Sequence, residues 1–160
     1  MRLAVGGDHA GFPLKGAVVG ALREWGHEVD DVGTHTPDPV DFPDIAQQVC
    51  AAVRAGRAER GIMVCGTGVG ACIAANKVPG IRAALCHDVY SAHQCVEHDD
   101  VQVLCLGAQI VGPPLALELL HTFLAARPSE EAHFRRRVAK LGELERQAAR
   151  ELASGSPGPA

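Results

Sequence analysis

Gly61-Ile62-Met63-Val64-Cys65-Gly66-Thr67-Gly68-Val69-Gly70 is the stretch that decides how this chain folds. Its first four residues form an apolar run with no polar alternation, the pattern of a strand buried on both faces of a parallel sheet. Ala71 to Asn76 follows as the first turns of a helix. Cys65 therefore stands at the carboxyl end of a strand, facing a row of backbone N–H groups. Such groups suit an anion, whether a phosphate or an oxyanion made during reaction. A polarisable base beside an oxyanion-stabilising loop points to proton transfer next to a carbonyl.

Working outward, short apolar runs alternate with helical patterns. Leu3 to Val5 reads as a strand, and Leu14 to Trp25 as a helix entered through Pro13. A strand over Glu28 to Val32 and a helix over Ile45 to Ala55, opened by Pro43 and Asp44, come next. Beyond the glycine loop, strands at Ile81 to Cys86 and Val101 to Leu106 flank a helix around Tyr90 to Val96, and Leu115 to Ala126 forms another helix after Pro113-Pro114. This alternation predicts an α/β fold: a three-layer αβα sandwich on a five-stranded, mostly parallel, Rossmann-like sheet. Ligands of such sheets bind beyond the strand carboxyl ends. Glu130 to Leu152 differs, with Phe134, Val138, Leu141, Leu144, Ala148 and Leu152 at helical spacing among charges. It follows a completed sheet pattern, so a C-terminal helical arm that packs on a partner subunit is expected. One domain over 1–152, with the helix at 129–152 and a flexible tail at 153–160, is the predicted organisation.

A chain of 160 residues suffices for one full core. The net charge of −4 gives no global attraction for nucleic acid or a membrane surface. No apolar run approaches the roughly 18 residues that span a bilayer. Met1 leads straight into the first strand, leaving no room for a signal peptide, and a cytoplasmic location is expected. Six cysteines without framework spacing fit reduced thiols. Cys50, Cys72 and Cys105 read as small buried hydrophobes.

Asp8 and His9 follow the first strand and so reach the same carboxyl edge as Cys65. His98-Asp99-Asp100 precedes the fifth strand, in a segment expected to loop back to that edge. A carboxylate near a histidine tunes it for proton work near neutral pH. The loop has a rival reading, because Gly66 to Ala71 also fits G-x-G-x-x-[GA] and Asp88 lies about 20 residues on, the dinucleotide spacing. Against it, the loop follows the third strand, and Cys65 is left unexplained. A metal held by His93, Cys95 and His98 is a third option, but no C-x-x-C or H-x₃-H cage exists. His27, His35 and His121 read as structural or solvent-facing. Arg135-Arg136-Arg137 reads as a solvated face able to meet a phosphate at a subunit junction.

Taken together, the chain resembles the type B ribose-5-phosphate isomerases and their galactose-6-phosphate isomerase relatives, from Met1 to about Arg150. The motifs are Gly7-Asp8-His9-Ala10-Gly11-Phe12, Cys65 to Gly70, Ile73-Ala74-Ala75-Asn76-Lys77, Gly80-Ile81-Arg82 and Glu97-His98-Asp99. The resemblance implies a cofactor-free, metal-free aldose–ketose isomerase of sugar phosphates, a homodimer with sites built from both subunits, with pairing into tetramers left open. Cys65 would be the thiolate base, favoured by the helix start. The amides of Gly66, Gly68, Val69 and Gly70, with Thr67, would hold the enediolate oxygen. Asp8 and His98 would open the sugar ring. His9 and the partner's Arg137 would hold the phosphate.

Five positions depart from the family pattern. Asp99 stands where Asn is usual, Gln109 where Arg is, His133-Phe134 where Arg-His is, and Phe42 where Tyr is common. Each lost charge-assisted bond removes roughly 1.5–3 kcal/mol. An active isomerase of ribose 5-phosphate/ribulose 5-phosphate or a related sugar, working through an enediolate with a cysteine base, is expected. The alternatives are an isomerase of a different or less phosphorylated sugar, because the phosphate clamp is altered, and a non-catalytic sugar-binding relative. Intact Asp8, Cys65, Thr67 and His98 argue for the enzyme.

Overall fold

The computed structural model describes residues 1–155. Among them the order is β1 (Arg2–Gly7), α1 (Phe12–Glu24), β2 (Glu28–Asp31), α2 (Phe42–Arg54), β3 (Arg60–Cys65), α3 (Val69–Ala75), β4 (Ala83–Leu85), α4 (Val89–Asp99), β5 (Val103–Gly107), α5 (Pro113–Ala125) and α6 (Ala132–Ala153). All strand pairs are parallel, in the order β2-β1-β3-β5-β4. The predicted α/β sandwich is present, with every strand parallel. Most of the predicted tail, from residue 156 on, lies outside the described residues, and 153–155 end α6 in a turn.

The strand alternation sorts the core into two layers. Leu3, Val5, Ile62, Val64, Leu104 and Leu106 point to one face and pack with α1, α4 and α5. Ala4, Met63, Cys65, Val103 and Cys105 point to the other, under α2 and α3. This is the period of two expected when both faces are covered. The helix placement follows from the right-handed crossover rule. Steps from β2 to β3 and from β3 to β4 move one way and put α2 and α3 on one face. Steps back, from β1 to β2 and β4 to β5, put α1 and α4 on the other. The direction reverses at β1, so the carboxyl ends of β1 and β3 bound a crevice.

Local signals set the helix ends. Proline opens α1, α2 and α5. Asp88 caps α4 by accepting from the Ser91 amide at 2.7 Å and the Ser91 hydroxyl at 2.7 Å. The aspartate that fitted a ribose contact in the dinucleotide reading thus serves a helix start. α6 is amphipathic yet contains no buried residue, and leaves Leu141, Leu144 and Leu152 exposed.

Candidate active site

At the crevice, the β1 and β3 ends bring two expected residues into contact. The Cys65 thiol donates to Asp8 Oδ2 at 2.9 Å, and Asp8 Oδ1 accepts from the Gly11 amide at 2.8 Å. Gly11 is required there, since a Cβ would fall 1.9 Å from the Val64 carbonyl oxygen. Cys65 is 8% exposed and Asp8 4%, so the pair is sunk into the edge with little solvent. Burial, followed by the hydrogen bond to Asp8 and its charge, pushes the Cys65 thiol above its ordinary range, while the amides of Gly68 and Gly66 pull it down. The expectation of a favoured thiolate is thus corrected. The loop amides do face the sulfur, but at rest desolvation and Asp8 outweigh them.

The loop is shaped by close backbone packing. Gly68 sits at φ +79°, and a Cβ there would meet Leu85 at 2.6 Å and the Leu106 carbonyl carbon at 3.0 Å. Val69 and Gly70 begin α3, with the Val69 amide donating to Thr67 Oγ1 at 3.4 Å, and Gly70 packs under the Phe42 ring. Thr67 and Val69 are exposed at the mouth. The Gln109 side chain lies against Gly66, and its backbone N–H donates to the Gly66 carbonyl at 2.9 Å. His9 is exposed beside Asp8, and its Nδ1 accepts from the Val40 amide at 3.3 Å, which places the ring proton on Nε2. Asp8, His9, Cys65 to Gly70 and Gln109 therefore share one edge, as expected.

His98, Asp99, His133 and Arg137 do not. α4 runs on to Asp99 instead of ending near Val96, so His98 occupies its last turn. A helix after a parallel strand runs antiparallel to it, so its last turn reaches the amino edge of the sheet. Arg82, just before β4, fixes that position by donating from Nε to the carbonyls of Asp99 at 2.8 Å and Asp100 at 3.0 Å. The six residues of β3 separate this edge from Cys65 by roughly 17 Å. The predicted return of His98-Asp99-Asp100 to the Cys65 edge is thus wrong within one chain.

A second cluster forms there instead. The His98 and Phe134 rings stack at 4.0 Å, His133 tilts onto Phe134 at 3.9 Å, and the Arg137 guanidinium lies 5.6 Å from the Phe134 centroid. A cavity of about 480 Å³ opens beside it, lined by Glu97, His98, Arg127, Ser129, Phe134 and Arg135 among others. His133 Nδ1 pairs with Glu131 at 3.3 Å, and exposed Asp99 flanks the cluster.

A family model described as Ribose/Galactose Isomerase matches residues 3–141. The chain belongs to the ribose/galactose isomerase family. As a member, it is an aldose–ketose isomerase. It is 42% identical to ribose-5-phosphate isomerase B of Escherichia coli over 91% of this chain and 97% of that one. It is 40% identical to D-erythrulose-4-phosphate isomerase of Pectobacterium atrosepticum, covering 92% and 97%. The ribose-5-phosphate isomerase B structure from Clostridium thermocellum superposes with a TM-score of 0.90 at 44% identity, covering 92% and 99%.

Other cysteines and histidines of this isomerase have different surroundings. Cys50 and Cys105 are buried as expected, but Cys72 is only half-buried and its thiol is lowered to about 7, chiefly by a hydrogen bond with Cys105. Cys95 is in the core and His93 pairs with Glu97 at 3.1 Å. Among the described residues no group of three or more His, Cys, Asp or Glu could hold a metal ion, and no helix is long and apolar enough to cross a membrane. Two features were missed in the sequence. Lys15, 3% exposed, pairs with Asp31 at the end of β2 at 2.6 Å. The only trace was a lysine on the buried face of α1. His87 stands at the carboxyl edge, accepting from the Gly107 amide at 3.0 Å.

Proposed function

We propose that this enzyme interconverts a sugar phosphate aldose and its ketose, of the ribose 5-phosphate/ribulose 5-phosphate type, through an enediolate, with Cys65 as the base. The observation that carries the reading is the setting of the Cys65 sulfur. A carboxylate lies 2.9 Å away on one side, and the amides of Gly66 and Gly68 face it on the other.

The resting proton on Cys65 has a use in this chemistry. Ring opening requires the sugar O1 hydroxyl to lose a proton and the ring oxygen to gain one. His98 takes the first, and Asp8 passes the thiol proton to the second, which leaves the sulfur as thiolate. The thiolate then takes the proton on C2, and the same sulfur returns it to C1. His98 gives its proton to O1 and the C2 hydroxyl proton passes through Asp8 back to the sulfur, so that both groups end as they began. Between these steps the negative enediolate oxygen rests on the amides of Gly66 to Gly70 and the Thr67 hydroxyl.

His98 reaches the reaction only from a second copy. A two-fold homodimer, with the amino-edge cluster of each protomer closing over the carboxyl edge of the other, completes two identical sites. The exposed apolar stripe of α6 supports this arrangement, as does the cavity beside His98. His9 then meets the phosphate with its Nε2 proton, together with Arg137 of the partner subunit.

A second reading concerns the sugar. Asp99, Gln109 and His133 replace neutral or cationic family residues, which favours another or a less highly charged sugar derivative as preferred substrate. Relatives of nearly equal identity carry the names of a pentose phosphate and a tetrulose phosphate isomerase. Turnover of a panel of aldose and ketose phosphates in D₂O separates the readings. Deuterium entering C2 or C1 is the expected result. Absence of both turnover and exchange across the panel would contradict the isomerase chemistry.

A further inference from the structure

We infer that His87 is a positioning residue that sets the aim of the oxyanion loop through Gly107. This rests on the reading of the Cys65 edge given above, and extends it to a residue with no contact to the sulfur.

The inference follows from the β5 hydrogen-bond ladder. Odd-numbered amides of β5 point toward β4, as Val103 donates to the Arg82 carbonyl, and even-numbered ones toward β3, as Ala108 donates to the Cys65 carbonyl at 2.8 Å. The register with β4 stops at Leu85 and Cys105, and that with β3 continues to Cys65 and Gly107. The Gly107 amide is thus left facing a neighbour that has turned away. His87 Nε2 replaces the missing carbonyl at 3.0 Å, which requires a neutral imidazole with its proton on Nδ1. Gly107 is buried, so its N–H would otherwise lack a partner.

Gly107 bears on the site directly. A Cβ there would lie 2.6 Å from the Thr67 carbonyl oxygen. Two residues on, Gln109 is bonded to Gly66. A shift of Gly107 therefore moves the floor beneath Thr67 and the side chain against Gly66. The imidazole holds both in place from two strands away.

The test compares His87→Gln, whose Oε1 can accept the same N–H, with His87→Asn, whose oxygen is too short to reach it, and His87→Leu. Expected is kcat/KM within about threefold of wild type for H87Q, and a loss of roughly tenfold or more for H87N and H87L, mostly in kcat. Long-range ¹⁵N spectra of the unliganded enzyme should show the Nδ1-protonated tautomer, a readout independent of turnover. Wild-type kinetics in H87N and H87L, or loss in H87Q equal to theirs, overturns the inference, as does an Nε2-protonated ring. If H87L does not fold, the Gln/Asn pair decides. An inactive wild-type enzyme with the expected tautomer would instead count against the isomerase reading.

Discussion

Cys65 and Cys72 show how two thiols seven residues apart acquire opposite chemistry. Desolvation and Asp8 raise the first, while hydrogen bonds from Cys105 and Asn76 lower the second to about 7. Cys72 should therefore be the faster of the two to react with iodoacetamide at pH 7.5, followed by peptide mass spectrometry. Replacing Asp8 with Asn removes a bond and a charge that both favour the neutral Cys65 thiol. Its alkylation midpoint should then fall to lower pH, and an unchanged midpoint would show that Asp8 does not govern it. Cys65→Ala should lose about 10²–10⁴ in kcat with KM within a few-fold, as expected for removal of a base that adds little to binding. A fully active C65A variant would place the base elsewhere.

At the scale of elements, the β3 loop depends on two close backbone approaches and one left-handed glycine. Gly68 and Gly80 share that conformation, at φ +79° and +83°, but a Cβ at Gly80 meets nothing within 4 Å. Gly80→Ala should cost about 1 kcal/mol, the backbone preference alone. Gly68→Ala adds overlap with Leu85 and Leu106, and should cost about 2–4 kcal/mol in urea unfolding. Equal midpoints for the two variants would show that the loop has room to yield. The order of strands and helices was legible in the sequence because central strands buried on both faces read as unbroken apolar runs. Prolines and glycines between them marked the ends. The carboxyl-edge residues were legible for the same reason, since Asp8 and Cys65 directly follow such runs. His98 was misplaced because a helix ending near Val96 left room for a returning loop. With α4 extended to Asp99 that slack is gone. His87 left no local trace, as the amide it holds lies 20 residues away.

On the proposed mechanism, the whole molecule presents two incomplete half-sites at opposite edges of one sheet. One has the thiol, the carboxylate and the amides, and the other has the imidazole, an aromatic stack and the arginines. The proposed closed two-fold dimer would bring unlike halves together twice, and the exposed face of α6 offers it apolar surface to bury. The arrangement makes a strict demand on mixed oligomers. Cys65→Ala and His98→Ala should each be nearly inactive alone. Unfolded together and refolded at equal concentration, they should regain about a quarter of wild-type activity, because half the dimers are mixed and each has one intact site. A mixture no more active than its components, with mixed dimers shown by native mass spectrometry, would contradict a site shared between subunits.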